Sequence, residues 1–299
     1  DAADFHVLTD AVRGVTNYIM SDSTAAEVTN AESLTSFDSD GFTVGTMDEV
    51  NTSTEAFVAW NWKADGSGSS NSEGDITATV SAETTAGFSI IKFTGNGSHS
   101  QSIGHGLNGT PTFWGVKNLT DAGVDFTCYL KGTDRIKLTT AEAMEQNYLM
   151  SASSTLLTTP SNASWVGGVS GKDYIMYAWQ QLQGYSKFGT YVGNGNANAP
   201  FVYTGFRPAM VIVKNFSTGS RDWVITDNKR GAFNPAGERL YPNLSDGEDT
   251  SGDYFNYLSN GFKFDENVNL WNTSGESYFY MAFAESPFVN SKGVPTNAR

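Results

Sequence analysis

Short apolar and aromatic runs, separated by small polar residues, are the dominant pattern along this chain. Examples are FSIIKF (88–93), PAMVIVKNF (208–216), YIMYAW (174–179) and SYFYMAF (277–283), with Gly, Asn, Asp and Ser between such runs. Runs rich in β-branched and aromatic residues between turn-forming residues are typical of β-strands. One segment, TTAEAMEQNYLM (139–150), has helical character, although a loop also fits it. The sequence therefore predicts an all-β fold.

Several motifs recur in the same order. The segment GFSIIKFTGNG (87–97) returns as GYSKFGTYVGNG (184–195), and the pair Lys117-Asn118 returns as Lys214-Asn215. Self-similarity of this kind indicates one structural unit that is used several times. Because Asn-Gly pairs tolerate positive φ, each Gly-Asn-Gly motif is predicted to close a two-residue hairpin between paired strands. The sequence thus predicts tandem repeated antiparallel β-sandwich modules.

An incomplete copy precedes the two full repeats. The repeats close on aromatic runs at 172–179 and 276–283, and TEAFVAWNW (54–62) has the same character. DFHVLTD (4–10) and SDGFTVG (39–45) also match later segments of the chain. We therefore predict the C-terminal half of a module here, ending in the strands GFTVG and AFVAWNW. Because residue 1 is Asp, we expect the chain to be a piece of a longer or processed protein.

The repeats and the composition between them set the predicted boundaries. The segment KADGSGSSNSEGD (63–75) is almost wholly small and polar, which is typical of a flexible or extended connector. The predicted parts are an incomplete β module at 1–63, a Gly/Ser-rich linker at 64–83, β-sandwich modules at 84–182 and 183–286, and a C-terminal tail at 287–299.

Charge and composition narrow the range of partners. The 299 residues include 18 Lys and Arg against 32 Asp and Glu, which gives a formal net charge of −14. Such a balance opposes nucleic-acid binding, since phosphate contacts need basic side chains. No apolar run reaches the roughly 20 residues of a membrane-spanning helix, so no membrane insertion is expected. The single cysteine, Cys128, cannot form an internal disulfide and is interpreted as a small apolar residue in a strand.

Motifs for catalysis are scarce. His6, His99 and His105 are the only histidines that a nucleophilic triad or a histidine-rich zinc site could use. His105 lies in the glycine-bounded loop SIGHGLNGTP, where a structural turn residue is favoured over a ligand-binding residue. The sequence contains no nucleophile elbow, zinc-protease helix or phosphate-binding loop motif. We therefore expect no enzymatic activity and no cofactor.

Acidic residues cluster in a few turns. Asp38 with Asp40 could act as a glycosidase pair, as could Asp246, Glu248 and Asp249, because two carboxylates suffice for sugar hydrolysis. The same oxygen-rich loops could hold Ca²⁺, but they lack the spacing of an EF-hand. Both clusters lie among Gly and Ser, so we interpret them as solvated turns without a metal.

Asparagine and tryptophan have two interpretations each. Trp60, Trp62, Trp179 and Trp271 could stack on sugars. However, Trp60 and Trp179 share a repeat position with Phe283, which favours packing in a core. Asparagine triplets could accept glycans in a eukaryotic secretory pathway, but a chain rich in Asn, Ser and Thr forms them by composition. These triplets begin at Asn51, Asn96, Asn108, Asn118, Asn162, Asn215, Asn243 and Asn272.

A family resemblance rests on longer stretches. TDAVRGVTNYIMSDSTAAEVTNAESLTSFDSDGFTVG (9–45), STEAFVAWNWKADG (53–66) and GDITATVSAETTAGFSIIKFTGNGSHSQSIGHGL (74–107) resemble repeat modules of large virion proteins of marine bacteriophages. The ending SYFYMAFAESPFVNSKGVPTNAR (277–299) is also similar to the ends of those proteins. The segment CYLKGTDRIKL (128–138) departs from the pattern. The resemblance implies a role on the virion surface, often behind lectin-like domains in tail or fibre proteins, and it supplies no catalytic residues.

Two functions follow as hypotheses. The first is a structural and adhesive virion protein, namely a tail fibre, a head fibre or a capsid-decorating protein, with other virion proteins and a host-surface glycan as partners. The alternative is a secreted carbohydrate-binding or carbohydrate-active β-sandwich protein. Two acids at glycosidase spacing, or tryptophans lying flat on an exposed face, would favour the alternative.

The sequence also predicts how identical chains assemble. LYPNL (240–244) and DYFNYL (253–258) place apolar and tyrosyl groups in a segment of acidic turns. Because virion fibres gain stiffness and avidity by bundling identical chains, we predict a homo-oligomer, with a trimer favoured. The alternative, that both segments pack on the core of their own module, stays open. The candidate interface residues are Tyr241, Leu244, Tyr254, Phe255 and Tyr257.

Overall fold

Short strands make up most of the regular structure of the chain. The computed structural model describes residues 4–162 and 165–287, and the predicted all-β fold is confirmed for them. Within these residues, no helix is both long and apolar enough to cross a lipid bilayer. The predicted helical segment at 139–150 is irregular, and the helix α1 (Asp48–Asn51) lies elsewhere.

Two compact units divide the chain. The first comprises the residues up to 139 together with Glu145–Gln180, and the second comprises Thr140–Met144 and the residues from Gln181 onward. The predicted incomplete module at 1–63 therefore lies in the same unit as the module predicted at 84–182. The predicted tail lies outside the described residues from residue 288 onward.

The first unit contains the strands β1 to β15. They are β1 (Val7–Asp10), β2 (Gly14–Met20), β3 (Val28–Thr29), β4 (Leu34–Phe37), β5 (Phe42–Val44), β6 (Ser69–Asn71), β7 (Ala78–Glu83), β8 (Phe88–Thr94), β9 (Ser102–Gly104), β10 (Phe113–Asn118), β11 (Thr127–Leu130), β12 (Ile136–Lys137), β13 (Ser151–Ala152), β14 (Leu156–Thr158) and β15 (Asp173–Trp179). A seven-stranded sheet has the order β12-β11-β10-β15-β8-β7-β6, and a three-stranded sheet has the order β13-β14-β9. The N-terminal strands form the sheets β1-β2-β3 and β4-β5.

The second unit repeats part of this order. Its strands are β16 (Ser186–Val192), β17 (Phe201–Tyr203), β18 (Pro208–Asn215), β19 (Val224–Asp227), β20 (Phe255–Leu258), β21 (Gly261–Phe264) and β22 (Ser277–Ala284). They form the sheets β16-β22-β18-β19 and β17-β21-β20. The order β16-β22-β18-β19 corresponds to β8-β15-β10-β11 in the large sheet of the first unit. The order β17-β21-β20 corresponds to β9-β14-β13 in its small sheet, and all these strand pairs are antiparallel. This correspondence agrees with tandem copies of one module, which stays a prediction.

The hydrophobic cores lie between the paired sheets of each unit. In the first unit, Ile91 and Trp114 of the large sheet share a buried cluster with Ile103 and Leu157 of the small one. In the second unit, a corresponding cluster contains residues of both sheets, among them Val213, Tyr280, Phe255, Tyr257 and Phe262. Burial of apolar area at roughly 25 cal/mol per Å² is the main stabilising contribution in such cores.

The predicted linker at 64–83 is wrong for much of its length. β6 and β7 are strands of the seven-stranded sheet, and Ala78 and Val80 are buried against Phe93 and Ile91. The alternation of apolar and polar residues in β7 outweighs the polar composition that precedes it. Gly74 allows its backbone to lie close to that of Ser102, since a Cβ there would lie 2.4 Å from the Ser102 backbone oxygen. The glycine is therefore explained by this contact and not by flexibility.

The predicted Asn-Gly hairpins are also wrong. Gly97 and Gly195 have φ of 84° and 68°, as such turns require. However, β8 and β16 lie in the larger sheets, whereas the strands after the turns, β9 and β17, lie in the small sheets. Each turn therefore carries the chain from one sheet to the other. Gly193 allows a second close approach, since a Cβ there would lie 2.2 Å from the Thr273 oxygen.

The N-terminal region only partly follows its predicted strands. GFTVG contains β5, which pairs with β4. AFVAWNW forms no strand, and Phe57 in it is exposed. Trp62 instead packs edge-on against Trp179 at 5.7 Å between ring centroids. This run has β propensity, but no strand of the described residues pairs with it.

Candidate interaction surface

The repeated Lys-Asn pair ends a strand and begins a turn in both units. Asn118 ends β10, and its Oδ1 accepts the N–H groups two and three residues further on, each at 2.8 Å. Asn215 ends β18, and its Oδ1 accepts the corresponding N–H groups at 3.1 and 3.2 Å. The asparagine therefore recurs because its side chain replaces a backbone acceptor in the turn.

The lysine of each pair is fully buried. Lys117 Nζ donates to the Val124 carbonyl at 2.8 Å, and Lys214 Nζ donates to the Arg221 carbonyl. Burial lowers the pKa of both amines to about 8, despite nearby carboxylates that act in the opposite direction. The repeated pair is visible in the sequence, but the burial of its lysine was not predicted. The available signal was a lysine within an apolar strand at the same position of both repeats.

A loop from the N-terminal sheet packs on the first Lys-Asn turn. The Thr24 carbonyl accepts the Gly123 N–H at 2.9 Å, and the Glu27 N–H donates to the Leu119 carbonyl at 2.9 Å. Lys117 Nζ also lies 3.5 Å from the Thr24 oxygen. The loop thus satisfies backbone groups of the turn and closes the site of the buried amine.

The second Lys-Asn turn has a similar cover within the second unit. The Ala141 carbonyl accepts the Arg221 N–H at 3.1 Å, and the Met144 N–H donates to the Phe216 carbonyl at 2.9 Å. Glu142 acts electrostatically on Lys214 and favours its charged form. The covering loop again uses a carbonyl and, three residues later, an N–H. In the turn, the acceptor is again the residue after the asparagine, whereas the donor lies six residues after the asparagine instead of five.

A second recurring arrangement joins an aspartate and an arginine three residues apart. Arg230 Nε donates to Asp227 at 2.7 Å, Nη1 donates to Glu248 at 2.9 Å, and Nη2 donates to the Ile225 carbonyl at 3.4 Å. Asp227 also accepts the N–H of Arg230 at 3.0 Å. These bonds hold the turn after β19 against the loop that contains Glu248.

The first unit contains the same arrangement at greater depth. Arg13 Nε donates to Asp10, Nη1 donates to Glu27 at 3.3 Å, and Nη2 donates to the Leu8 carbonyl at 2.9 Å. In addition, Tyr177 on β15 accepts from Arg13 at 3.0 Å and donates to Asp10 at 2.7 Å. The N-terminal sheet is therefore fixed to β15 through buried, charge-assisted hydrogen bonds.

A third arrangement surrounds Arg239 near the predicted interface. The guanidinium donates to Asp249 at 2.7 Å and to the Tyr241 hydroxyl at 2.9 Å, and it lies 5.2 Å from the Tyr254 ring centroid. Burial would raise the pKa of Asp249, but hydrogen bonds from Tyr241 and Ser251 and the charge of Arg239 lower it to about 2. Asp249 is therefore a stable anion that holds this segment together.

The corresponding position of the first unit has the same chemistry. Arg135 pairs with Glu145, and its guanidinium lies 4.6 Å from the Tyr148 ring centroid and 3.7 Å from the Trp165 ring centroid. The backbones of each arginine and its acid also form an antiparallel β-bridge, and the two residues of each pair are ten positions apart in sequence. Cation–π contact with a half-buried aromatic ring contributes about 1 kcal/mol.

The predicted interface residues occupy two environments. Phe255 and Tyr257 are buried in the core of the second unit, so the expectation that they are exposed for a second chain is wrong for them. Both side chains lie on the face of β20 that is directed to the sandwich interior, because alternate residues of a strand share a face. The aromatic composition alone did not show this. Tyr241 and Tyr254 are half-buried in the Arg239 arrangement, and Leu244 is half-buried in the loop between Arg239 and Asp249.

The histidine singled out from the sequence is structural. His105 is fully buried; its Nδ1 accepts the Leu107 N–H at 3.1 Å, and its Nε2 lies 3.4 Å from the Ser153 carbonyl. Burial lowers its pKa. The imidazole therefore supports its own loop and is not accessible to a ligand.

The acidic clusters do not converge on a metal site. Asp38 and Asp40 are exposed in the turn between β4 and β5, and Asp38 accepts from two nearby hydroxyls. Glu248 and Asp249 pair with different arginines. Across residues 4–162 and 165–287, no three His, Cys, Asp or Glu side chains are grouped to hold a metal ion.

The remaining candidates lie mostly in packed positions. Trp179 contacts Phe88 at 5.0 Å, Phe283 is buried, and Trp60 is half-buried. Cys128 is buried, which raises its pKa. Several of the asparagine triplets also lie inside the fold, where a glycan cannot attach. These buried asparagines are Asn118, Asn215, Asn243 and Asn272.

Comparison with known proteins identifies the family of the chain. No curated protein and no solved structure matches it. A family model described as a domain of unknown function, DUF7483, matches residues 1–287, which is nearly the whole chain. The chain therefore belongs to the DUF7483 family.

Proposed function

We propose that this chain is a structural and adhesion protein of a bacteriophage virion, built from repeated β modules and acting as a tail fibre, a head fibre or a capsid-decorating protein. Its partners would be other virion proteins and a glycan of the host surface. The proposal places it on the virion surface and assigns it no catalytic step.

The observation that carries this proposal is the repeated cover of the Lys-Asn turns. A similar pair of backbone hydrogen bonds closes the turn after Asn118 and the turn after Asn215. A unit that needs a preceding segment to cover its buried lysine is suited to serial assembly, as in other repeat proteins. The sequence resemblance to phage virion modules supports this role.

The placement of the polar side chains also supports a structural role. His105, Lys117 and Lys214 are buried and donate to or accept from backbone groups. Arg13, Arg230 and Arg239 pair with carboxylates that fix turns. Charged groups used in this way stabilise a fold rather than act on a substrate.

Immunogold labelling of purified phage particles tests this proposal. An antibody to the recombinant chain is expected to label intact virions at a fixed position, and mass spectrometry of the same particles is expected to find the chain. Pre-immune serum and particles of an unrelated phage serve as controls. Absence of the chain from purified virions, together with its presence in the host secretome, would contradict the proposal.

Carbohydrate binding is a second candidate, favoured by one exposed surface of the second unit. Phe201 and Tyr203 on β17 are 46% and 63% exposed, and Lys263 and Asn256 follow across the same sheet. Exposed aromatic rings beside polar side chains are typical of binding surfaces. Tyr203→Ala should abolish retention on a glycan array, whereas Phe233→Ala, which removes an even more exposed ring elsewhere, should not. Equal retention of both variants would exclude this surface.

A further inference from the structure

Three loops of this chain have the same length and the same anchoring. Their flanking residues form antiparallel bridges between Tyr18 and Val28, between Arg135 and Glu145, and between Arg239 and Asp249. Each pair is ten residues apart, so nine residues lie in each loop. We call them the first, second and third loops. Equal length between equal anchors gives their backbone groups equivalent positions.

The first and second loops use the same two positions for hydrogen bonds. The sixth residue after the first anchor accepts an N–H through its carbonyl, in Thr24 and in Ala141. The ninth residue donates its N–H to a carbonyl, in Glu27 and in Met144. In both cases the partner is the turn that follows a Lys-Asn strand. This loop is therefore a cover for a Lys-Asn turn.

The third loop has a carbonyl and an N–H at the same two positions, but no Lys-Asn turn is bound to them. Its sixth and ninth residues are Ser245 and Glu248. Among the described residues, the Ser245 carbonyl and the Glu248 N–H form no hydrogen bond. The loop is nonetheless held in place, because Glu248 pairs with Arg230 as Glu27 pairs with Arg13. A fixed loop with an unused acceptor and donor at these positions is ready for a partner.

The charge of the third loop indicates the chemistry of that partner. Asp246 is the seventh residue after Arg239 and is exposed. The seventh residue of the second loop is Glu142, which acts electrostatically on the buried Lys214. The third loop therefore resembles the second loop at this position, whereas the first loop has Ala25 there.

We propose that the third loop, residues 240–248, is a docking element for the Lys-Asn turn of a further β module of the same kind. The partner offers an N–H to the Ser245 carbonyl, a carbonyl to the Glu248 N–H, and a buried lysine near Asp246. The inference uses the repeated architecture of the proposed function but not its virion setting, and its tests involve no virions. The two can therefore fail separately.

Hydrogen exchange of the unmodified chain is the first test. The amides of Glu27 and Met144 donate to turn carbonyls, whereas the Glu248 amide has no acceptor among the described residues. We expect the Glu248 amide to exchange at least tenfold faster than either of them when followed by NMR. Protection of Glu248 equal to that of Glu27 and Met144 would show that the third loop is already occupied and would overturn the proposal.

Opening a turn of the chain supplies the partner for the second test. In one full-chain variant, residues 22–27 are replaced by Gly-Asn-Gly, which uncovers the turn at Leu119–Gly123. In another, residues 139–144 are replaced in the same way, which uncovers the turn at Phe216–Arg221. Each variant then carries an open turn and the third loop. We expect concentration-dependent head-to-tail association beyond that of the unmodified chain in sedimentation velocity.

A charge reversal within the opened chains identifies the surface. Asp246→Lys should weaken this association at least tenfold, whereas Glu266→Lys, which reverses another exposed acid of the same unit, should leave it unchanged. Folded open-turn variants that do not associate, or that associate equally with Asp246→Lys, would overturn the proposal. If neither variant folds, the exchange rate of the Glu248 amide decides the question.

Discussion

The guanidinium of Arg13 and the hydroxyl of Tyr177 lie 3.0 Å apart inside the first unit, although 164 residues separate them along the chain. Tyr177 is on β15, and Arg13 follows β1 of the N-terminal sheet. The tyrosine also donates to Asp10, which itself pairs with Arg13. One hydroxyl thus links a buried ion pair to the central strand of the largest sheet.

Removing that hydroxyl should destabilise the first unit. We expect Tyr177→Phe to lower the free energy of unfolding by about 1–3 kcal/mol, because buried charged groups lose a hydrogen-bond partner. Urea unfolding followed by tryptophan fluorescence measures this change. Tyr203→Phe removes an exposed hydroxyl and serves as the control. Equal stability of the two variants would contradict the assigned role of Tyr177.

The buried lysines predict a dependence of stability on pH. Because burial lowers the pKa of Lys214 from 10.5 to about 8, the unfolded chain binds more protons than the folded chain between these values. The contribution of this lysine to the free energy of unfolding should therefore rise from pH 8 to pH 10.5 and stay constant below that window. Lys214→Met should lose this rise, and Lys187→Met serves as the control. A parallel pH profile for Lys214→Met and the unmodified chain would contradict the prediction.

Asp249 predicts that stability also depends on pH under acidic conditions. Its pKa is lowered from 3.8 to about 2, so its contribution to stability is complete above pH 3.8 and is lost as the pH falls toward 2. Asp249→Asn should be less stable than the unmodified chain at neutral pH, and this difference should shrink between pH 4 and pH 2. Thermal unfolding across this range measures it. A constant difference would show that Asp249 is not held as an anion by Arg239 and Tyr241.

The Gly-Asn-Gly motif predicts unequal costs for glycine substitutions. Gly193→Ala should strongly destabilise the second unit, because its Cβ would lie 2.2 Å from a backbone oxygen. Gly195→Ala should cost at least about 1–2 kcal/mol, since its φ of 68° is unfavourable for a residue with a Cβ and that Cβ would lie 2.8 Å from the Ser274 Cβ. Gly41→Ala has open space and no positive φ, and it should have little effect. Urea unfolding ranks the three variants, and a cost for Gly41→Ala equal to the others would refute this explanation.

Assembly of identical chains stays a prediction, with a trimer favoured. Light scattering of the full chain is expected to give the mass of three copies, with Tyr241, Leu244 and Tyr254 as the half-buried residues still available to an interface. Tyr254→Ala also disturbs the Arg239 arrangement, so Leu244→Asp is the sharper variant for dissociation. A stable monomer at high concentration would contradict homo-oligomer formation.

The sequence by itself determined the all-β fold and the positions of the long aromatic strands β8, β15, β18 and β22. Apolar and aromatic runs between glycine and asparagine turns are local signals, and a strand needs little more to be recognised. The recurring Lys-Asn and Gly-Asn-Gly motifs also had local causes, namely an Asn side chain that caps a turn and glycines at positive φ.

Only the tertiary structure decided which strands pair and which side chains are buried. β7 lies in the predicted linker, and it became a sheet strand because β8 offered a free edge. The residues after Gly97 and Gly195 joined the opposite sheet instead of forming a hairpin. Phe255 and Tyr257 face a core contributed by distant strands. Pairing and burial depend on contacts between residues far apart in sequence, which periodicity along the chain does not encode.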